Sequence, residues 1–150
     1  MTKQRLREKL VDFQRDIMSL SQALQAKEQA LRDGEDHLLL ELMLVLDAFE
    51  NIFNSLEDRA ETSDKSVRRA LTSFSRIQSK VRRILEARGV EQIAFPNGKA
   101  VVGLCKVVET QAVEGREEGE IISIVRHGYR HGDRVLRPAE VITVANHTAI

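Results

Sequence analysis

Between Leu6 and Gly34 one position recurs at alternating steps of four and three: Leu6, Leu10, Phe13, Ile17, Leu20, Leu24, Lys27, Leu31 and Gly34. All but Lys27 and Gly34 are apolar. A 3.5-residue period is the seam of a coiled coil. So narrow a stripe on a charged helix cannot be buried by that helix. It requires a partner helix, most simply a second copy of the chain. Lys27 and Gly34 weaken the seam, since glycine inside a helix costs about 1 kcal/mol relative to alanine. The alternative at Gly34 is a helix end, with the glycine as C-cap and a new helix starting in "DGED". Residues 1–36 are assigned to a coiled-coil helix.

From His37 the apolar face widens. One stripe holds Leu38, Leu42, Val45, Phe49, Ile52 and Leu56, and a second holds Leu39, Met43, Leu46 and Phe53. A face this broad suits a helix bundle rather than a two-stranded coil. "EDRAETSD" reads as a polar loop in which Ser63 or Asp64 caps the next helix. That helix covers residues 65–88, with a stripe through Val67, Leu71, Phe74, Ile77, Val81 and Leu85, and Gly89 ends it. The hairpin of residues 37–90 leaves too much apolar surface for one chain. Two hairpins would close a four-helix bundle.

Beyond "AFPNG" the period drops to two. Ala100–Glu109 and Glu120–Arg126 read as strands, "HGYRHGD" as a turn and "RVLR" as a short strand. Pro138 is a break before a last strand, Val141–Val144. Residues 91–150 are therefore a β domain, small for an independent core and expected to dock on the helices. The fold class is α+β.

Composition removes several functions. Lys+Arg and Asp+Glu both number 23, so no overall charge favours nucleic acid or an anionic membrane. Aromatic residues are 4% and tryptophan is absent, so the core is aliphatic. Cys105 is the single cysteine; no intramolecular disulfide is possible, and a small core cysteine is expected. No apolar run approaches a membrane span, and "MTKQRLREKLVDF" lacks the apolar centre of a secretory signal, so a cytoplasmic location is expected. Neither GxxxxGK[ST] nor GxGxxG occurs. His127 and His131 lie four apart, but glycines make their segment a turn, so they read as solvated histidines rather than metal ligands. Arg69, Arg76, Lys80 and Arg83 share a helix face and read as a solvated face. No catalytic residue, metal or cofactor is expected. A protein-binding surface remains: "RHGDRVLRP" sets Arg130, Arg134 and Arg137 beside Val125, Tyr129, Val135 and Leu136, and Arg and Tyr beside aliphatics is the chemistry of interface anchors.

Three segments resemble the GrpE family. "LMLVLDAFENIF" (Leu42–Phe53) is similar to the family's LLPVLDxFERAL, with Leu44 where a proline is common. "ILEARGVEQI" (Ile84–Ile93) is similar to its LxxxGVExI helix end, and Val125–Ala145 resembles its terminal GYxxxxRxLRPAxVxVA. The resemblance implies an elongated homodimer that engages the nucleotide-binding domain of a DnaK-type chaperone and opens its cleft to release ADP. It implies a chaperone-contacting face at Arg134 and Val125, extended over Tyr129, Arg130, Arg137, Pro138 and Val141. It implies a dimer interface at Leu38, Leu42, Val45, Leu46, Phe49, Ile52, Phe74, Ile77 and Val81.

The chain also departs from that pattern. The family's FDPxxHEA segment is not reproduced; Val102–Leu104 fall where His-Glu-Ala would align. The turn "VEGREEGE" is longer than usual, and "LSQALQAKEQALRDG" lacks the family's Asn- and Arg-rich stretch. A dimeric coiled-coil adaptor of the same fold without exchange activity is the second reading.

Overall fold

A computed structural model describes residues 2–57 and 64–146. Most of the "EDRAETSD" loop, with the Ser63 cap, lies outside the described residues. Two helices precede six strands: α1 (Lys3–Glu57), α2 (Lys65–Ala87), β1 (Val90–Gln92), β2 (Cys105–Gln111), β3 (Ile121–Arg126), β4 (Tyr129–His131), β5 (Arg134–Arg137) and β6 (Ala139–Val144). The chain divides into two compact units, residues 1–38 and 39–150.

In the first unit the coiled-coil seam lies on α1, which does not stop at Gly34. No cap motif interrupts the helical hydrogen bonds there, so the helix-end alternative is not taken. The seven apolar seam residues are 57–74% exposed.

In the second unit the remainder of α1 lends Leu39, Met43 and Leu46 to a core shared with Leu85 of α2, Val90 of β1 and Tyr129 of β4. Each aliphatic side chain fully buried there contributes about 1.5–3 kcal/mol. Leu40, Leu42, Val81 and Leu136 pack around this cluster. Asp64 occupies the α2 N-cap position without a side-chain cap bond; it accepts instead from the Ser66 hydroxyl at 2.9 Å. Gly89 follows Arg88, the α2 C-cap, at φ +77, the left-handed step that glycine takes at a helix end.

The strands form two three-stranded sheets, in orders β1-β4-β5 and β2-β6-β3. Pro138 sits between β5 and β6, where the chain passes from one sheet to the other. β6 is the centre of its sheet, parallel to β2 and antiparallel to β3, and it buries Ala139, Val141, Thr143 and Val144. Two strands were not expected from the sequence. β1 and β4 are three residues each, too short for a period to register, and they exist by pairing Val90 with His131 and Gln92 with Tyr129. "HGYRHGD" is thus only partly a turn. The strand expected from Ala100 begins at Cys105, because Val101–Leu104 closes a turn. The Val101 carbonyl accepts from Leu104 N and Cys105 N, and Gly103 sits at φ +87. Cys105 opens β2 half-buried, not in the core, with Sγ 3.4 Å from the Val101 carbonyl.

Candidate protein-binding site

β4 and β5 form a hairpin closed by Gly132–Asp133. Gly132, at φ +59, supplies the left-handed residue that lets a two-residue turn match the strand twist. Arg130, Arg134 and Pro138 are exposed on the hairpin and just beyond it, and Val125 is 58% exposed on β3. Beside Val125 runs a cleft of about 440 Å³, lined by Leu44 and Asn51 of α1, Ile124 and Val125 of β3, and Glu140 of β6. Arg130 also reaches Glu91 of β1 at 3.2 Å, a surface pair worth little.

Three residues expected on this face are inside it. Val141, Tyr129 and Arg137 are buried. Val141 points into the sheet because the alternation of β6 turns its odd-numbered residues inward. Tyr129 belongs to the helix–sheet core. Arg137 is drawn inward by a carboxylate. These side chains support the surface and do not form it.

That carboxylate is Asp47 of α1. Arg137 donates Nη1 to Asp47 Oδ2 and Nη2 to Asp47 Oδ1, both at 2.8 Å. The same guanidinium donates from Nε and Nη2 to the His127 carbonyl and lies 5.3 Å from the centre of the Tyr129 ring. Arg126 donates Nε to Asp47 Oδ2 at 3.0 Å. One carboxylate thus gathers β3 and β5 onto a helix through charge-assisted bonds, with Arg137 in the bidentate geometry. Burial alone would raise the Asp47 pKa. The hydrogen bonds and charges of Arg137 and Arg126 outweigh burial and hold it below the ordinary carboxylate value.

One turn further along α1, Glu50 Oε1 lies 2.8 Å from Nε2 of His127. Gln92 of β1 meets the other ring nitrogen, so Gln92 donating to Nδ1 leaves Nε2–H to donate to Glu50. His127 is therefore half-buried between two elements and is not the solvated turn histidine expected. Among the described residues no cluster of three or more His, Cys, Asp or Glu could hold a metal.

Gly128 is needed for close approach rather than for a turn. Its φ is not positive, and a Cβ there would meet Ala139 N at 2.3 Å and the Pro138 carbonyl carbon at 2.8 Å. The Gly128 carbonyl accepts from Ile93 N at 2.9 Å, fixing β1 beside it.

The expected dimer residues divide in two. Leu46 is buried in the chain's own core, and Leu42 and Val81 pack against that core. Leu38, Val45, Ile52, Phe74 and Ile77 remain exposed, Ile77 at 47%. Phe49 is half-buried, its ring 6.3 Å from that of Phe74. Arg69, Arg76, Lys80 and Arg83 are all exposed on α2.

Sequence reasoning missed Asp47, Glu50, Arg126 and His127. One signal was present: Asp47 and Glu50 interrupt the apolar stretch of α1 at helical spacing from Met43, on the flank of a face that is otherwise buried.

The GrpE family model matches residues 2–145. Protein GrpE of Porphyromonas gingivalis is 28% identical over 120 residues, covering 79% of this chain and 59% of that protein. Protein GrpE of Clostridium acetobutylicum is 31% identical over 120 residues, covering 80% of this chain and 55% of its own length. Protein GrpE of Meiothermus ruber is 30% identical over 119 residues, covering 79% and 62%. The chain spans between about half and three fifths of these relatives' length. Among the described residues no helix is long and apolar enough to cross a membrane.

Proposed function

The chain belongs to the GrpE family, and from that premise we propose that it is an adenine-nucleotide exchange factor. It binds the nucleotide-binding domain of a DnaK-type chaperone and promotes ADP release by opening its cleft, acting as a homodimer in the cytoplasm. No covalent step, cofactor, nucleic acid or membrane is involved. The contact surface in this reading is Val125, Arg130, Arg134 and Pro138. Buried Tyr129, Arg137 and Val141 hold it from behind. The dimer interface is Leu38, Val45, Phe49, Ile52, Phe74 and Ile77, with Leu42, Leu46 and Val81 behind it.

The observation that carries the reading is the placement of Val125 and Arg134. Both are exposed, on strands whose neighbouring residues, Arg126 and Arg137, are anchored to α1 through Asp47. Acceleration of release requires a surface that prefers the opened partner, because a ligand shifts an equilibrium only by its differential affinity for the two states. If this protein weakens ADP binding by some factor, ADP weakens its binding by the same factor. Stopped-flow release of a fluorescent ADP analogue from the chaperone tests the reading. Release is expected to accelerate and saturate with protein; no acceleration at saturation removes it.

One feature favours the second reading, the adaptor without exchange activity. Val102, where the family pattern has part of its His-Glu-Ala segment, is fully exposed on the turn before β2. An adaptor would give a stable dimer whose affinity for the chaperone is the same with and without ADP.

A further inference from the structure

We infer that Asp47, Arg126 and Arg137 form a joint that fixes the angle of the strand module on α1, and that they are positioning residues for the exchange reaction. The inference rests on the reading given above.

Contact between helix and sheets is of two kinds. The apolar cluster around Met43 and Tyr129 supplies adhesion, but hydrophobic contact is non-directional and tolerates small rotations. The ionic contact has direction. The bidentate Arg137–Asp47 pair fixes both in-plane orientation and distance. Arg126 reaches the same carboxylate from another strand, so rotation about one pair is blocked by the other. Arg137 is itself clamped between the His127 carbonyl and the Tyr129 ring. Among the described residues no buried side-chain polar atom lacks a partner, those of the joint included.

The functional consequence follows from energy partition. A surface that must hold a partner in its opened form can use its binding energy only if it does not yield first. A loose joint would let the strand module follow the closed partner, and binding would persist while opening was lost. Val125 and Arg134 adjoin this joint in sequence, one residue from Arg126 and three from Arg137.

The test uses the full chain with spin labels at Ser55→Cys on α1 and Gln111→Cys on β2, in a Cys105→Ser background, with labelled protein diluted into unlabelled. The joint predicts one narrow distance distribution, broadened in Asp47→Ala and less so in Arg126→Gln, which keeps the Arg137 pair. Arg126→Gln also decides the matter should Asp47→Ala fail to fold. In ADP release, Asp47→Ala is expected to lower the saturating rate about tenfold while the half-saturating concentration changes much less. A residue needed only for folding would raise the half-saturating concentration through the folded fraction and leave the saturating rate unchanged. An unchanged distribution in both variants overturns the joint. A broadened distribution with an unchanged saturating rate overturns the positioning role. If the unsubstituted protein does not accelerate release, the exchange reading falls, and the distance distributions alone decide the joint.

Discussion

Gly128 and Ala139 approach so closely that a Cβ on the glycine would lie 2.3 Å from the Ala139 backbone nitrogen. The neighbour is backbone, hydrogen-bonded to the Leu104 carbonyl at 3.0 Å, and cannot move aside as a side chain would. Gly128→Ala must therefore separate the start of β4 from the start of β6. We expect a loss of about 3 kcal/mol, the upper range for overpacking. Urea unfolding of the two proteins measures it. A loss below about 1 kcal/mol would show that the crossing can open.

The contrast between Gly128 and Gly132 shows what the sequence discloses. Gly132 follows the local rule: a hairpin turn needs a left-handed residue, and "HGDR" advertises one. Gly128 follows a rule that no local pattern contains, since its constraint comes from a strand eleven residues away. The helices were legible because a period of 3.5 or 3.6 repeats many times over α1 and α2. β1 and β4 were not, because three residues hold no period. Arg134 and Arg137 look alike in "RVLR", yet one is exposed and the other buried. Only Asp47, ninety residues upstream of Arg137, distinguishes them.

The Asp47 joint sets a pH dependence. Its carboxyl is held below the ordinary value of 3.8 in the folded chain. A depressed carboxyl contributes stability that is fully present above its unfolded pKa and is lost as pH falls through its folded one. Asp47→Asn removes that contribution and leaves two guanidiniums without their anion. We expect a cost of roughly 2–4 kcal/mol at pH 7. The difference from the unsubstituted protein should shrink once pH falls below about 4. Denaturant unfolding at pH 7 and pH 3 checks both halves, and a pH-independent difference would exclude the carboxylate as its origin.

Arg134→Ala separates surface from scaffold. Arg134 is exposed at the start of β5, so its removal should alter stability by less than about 0.5 kcal/mol. Under the proposed exchange function, binding to the nucleotide-binding domain of a DnaK-type chaperone should weaken by about 2 kcal/mol, the level of an interface anchor. Titration calorimetry and sedimentation together resolve this: weaker binding with an unaltered oligomeric state is expected. Unchanged affinity removes Arg134 from the contact set.

Ile77→Asp addresses the bundle face. Ile77 is 47% exposed and lies outside the core of the chain, so a charge there should be tolerated by the monomer. Within a four-helix bundle the same charge would be buried without a partner, at several kcal/mol. Sedimentation equilibrium should show a dimer before and a monomer after substitution, with the β-sheet signal retained. A dimer of unchanged affinity would remove Ile77 from the interface and leave the exposed residues of α1 to hold it.

Gly34→Ala examines the weak end of the coiled-coil seam. A methyl group at Gly34 meets nothing within 4 Å, and the residue is already in the middle of α1. Within the chain the substitution adds helix propensity, about 1 kcal/mol per helix, and on the seam it adds a methyl group toward the partner helix. Lys27, one heptad earlier, places a charge on the same seam. With two weak positions a heptad apart, the coil should melt below the bundle, giving two transitions in circular dichroism at 222 nm. Gly34→Ala should raise the lower transition and leave the upper one in place, and Lys27→Leu should raise it further. A single high transition, insensitive to both substitutions, would show that the seam is not the weak element.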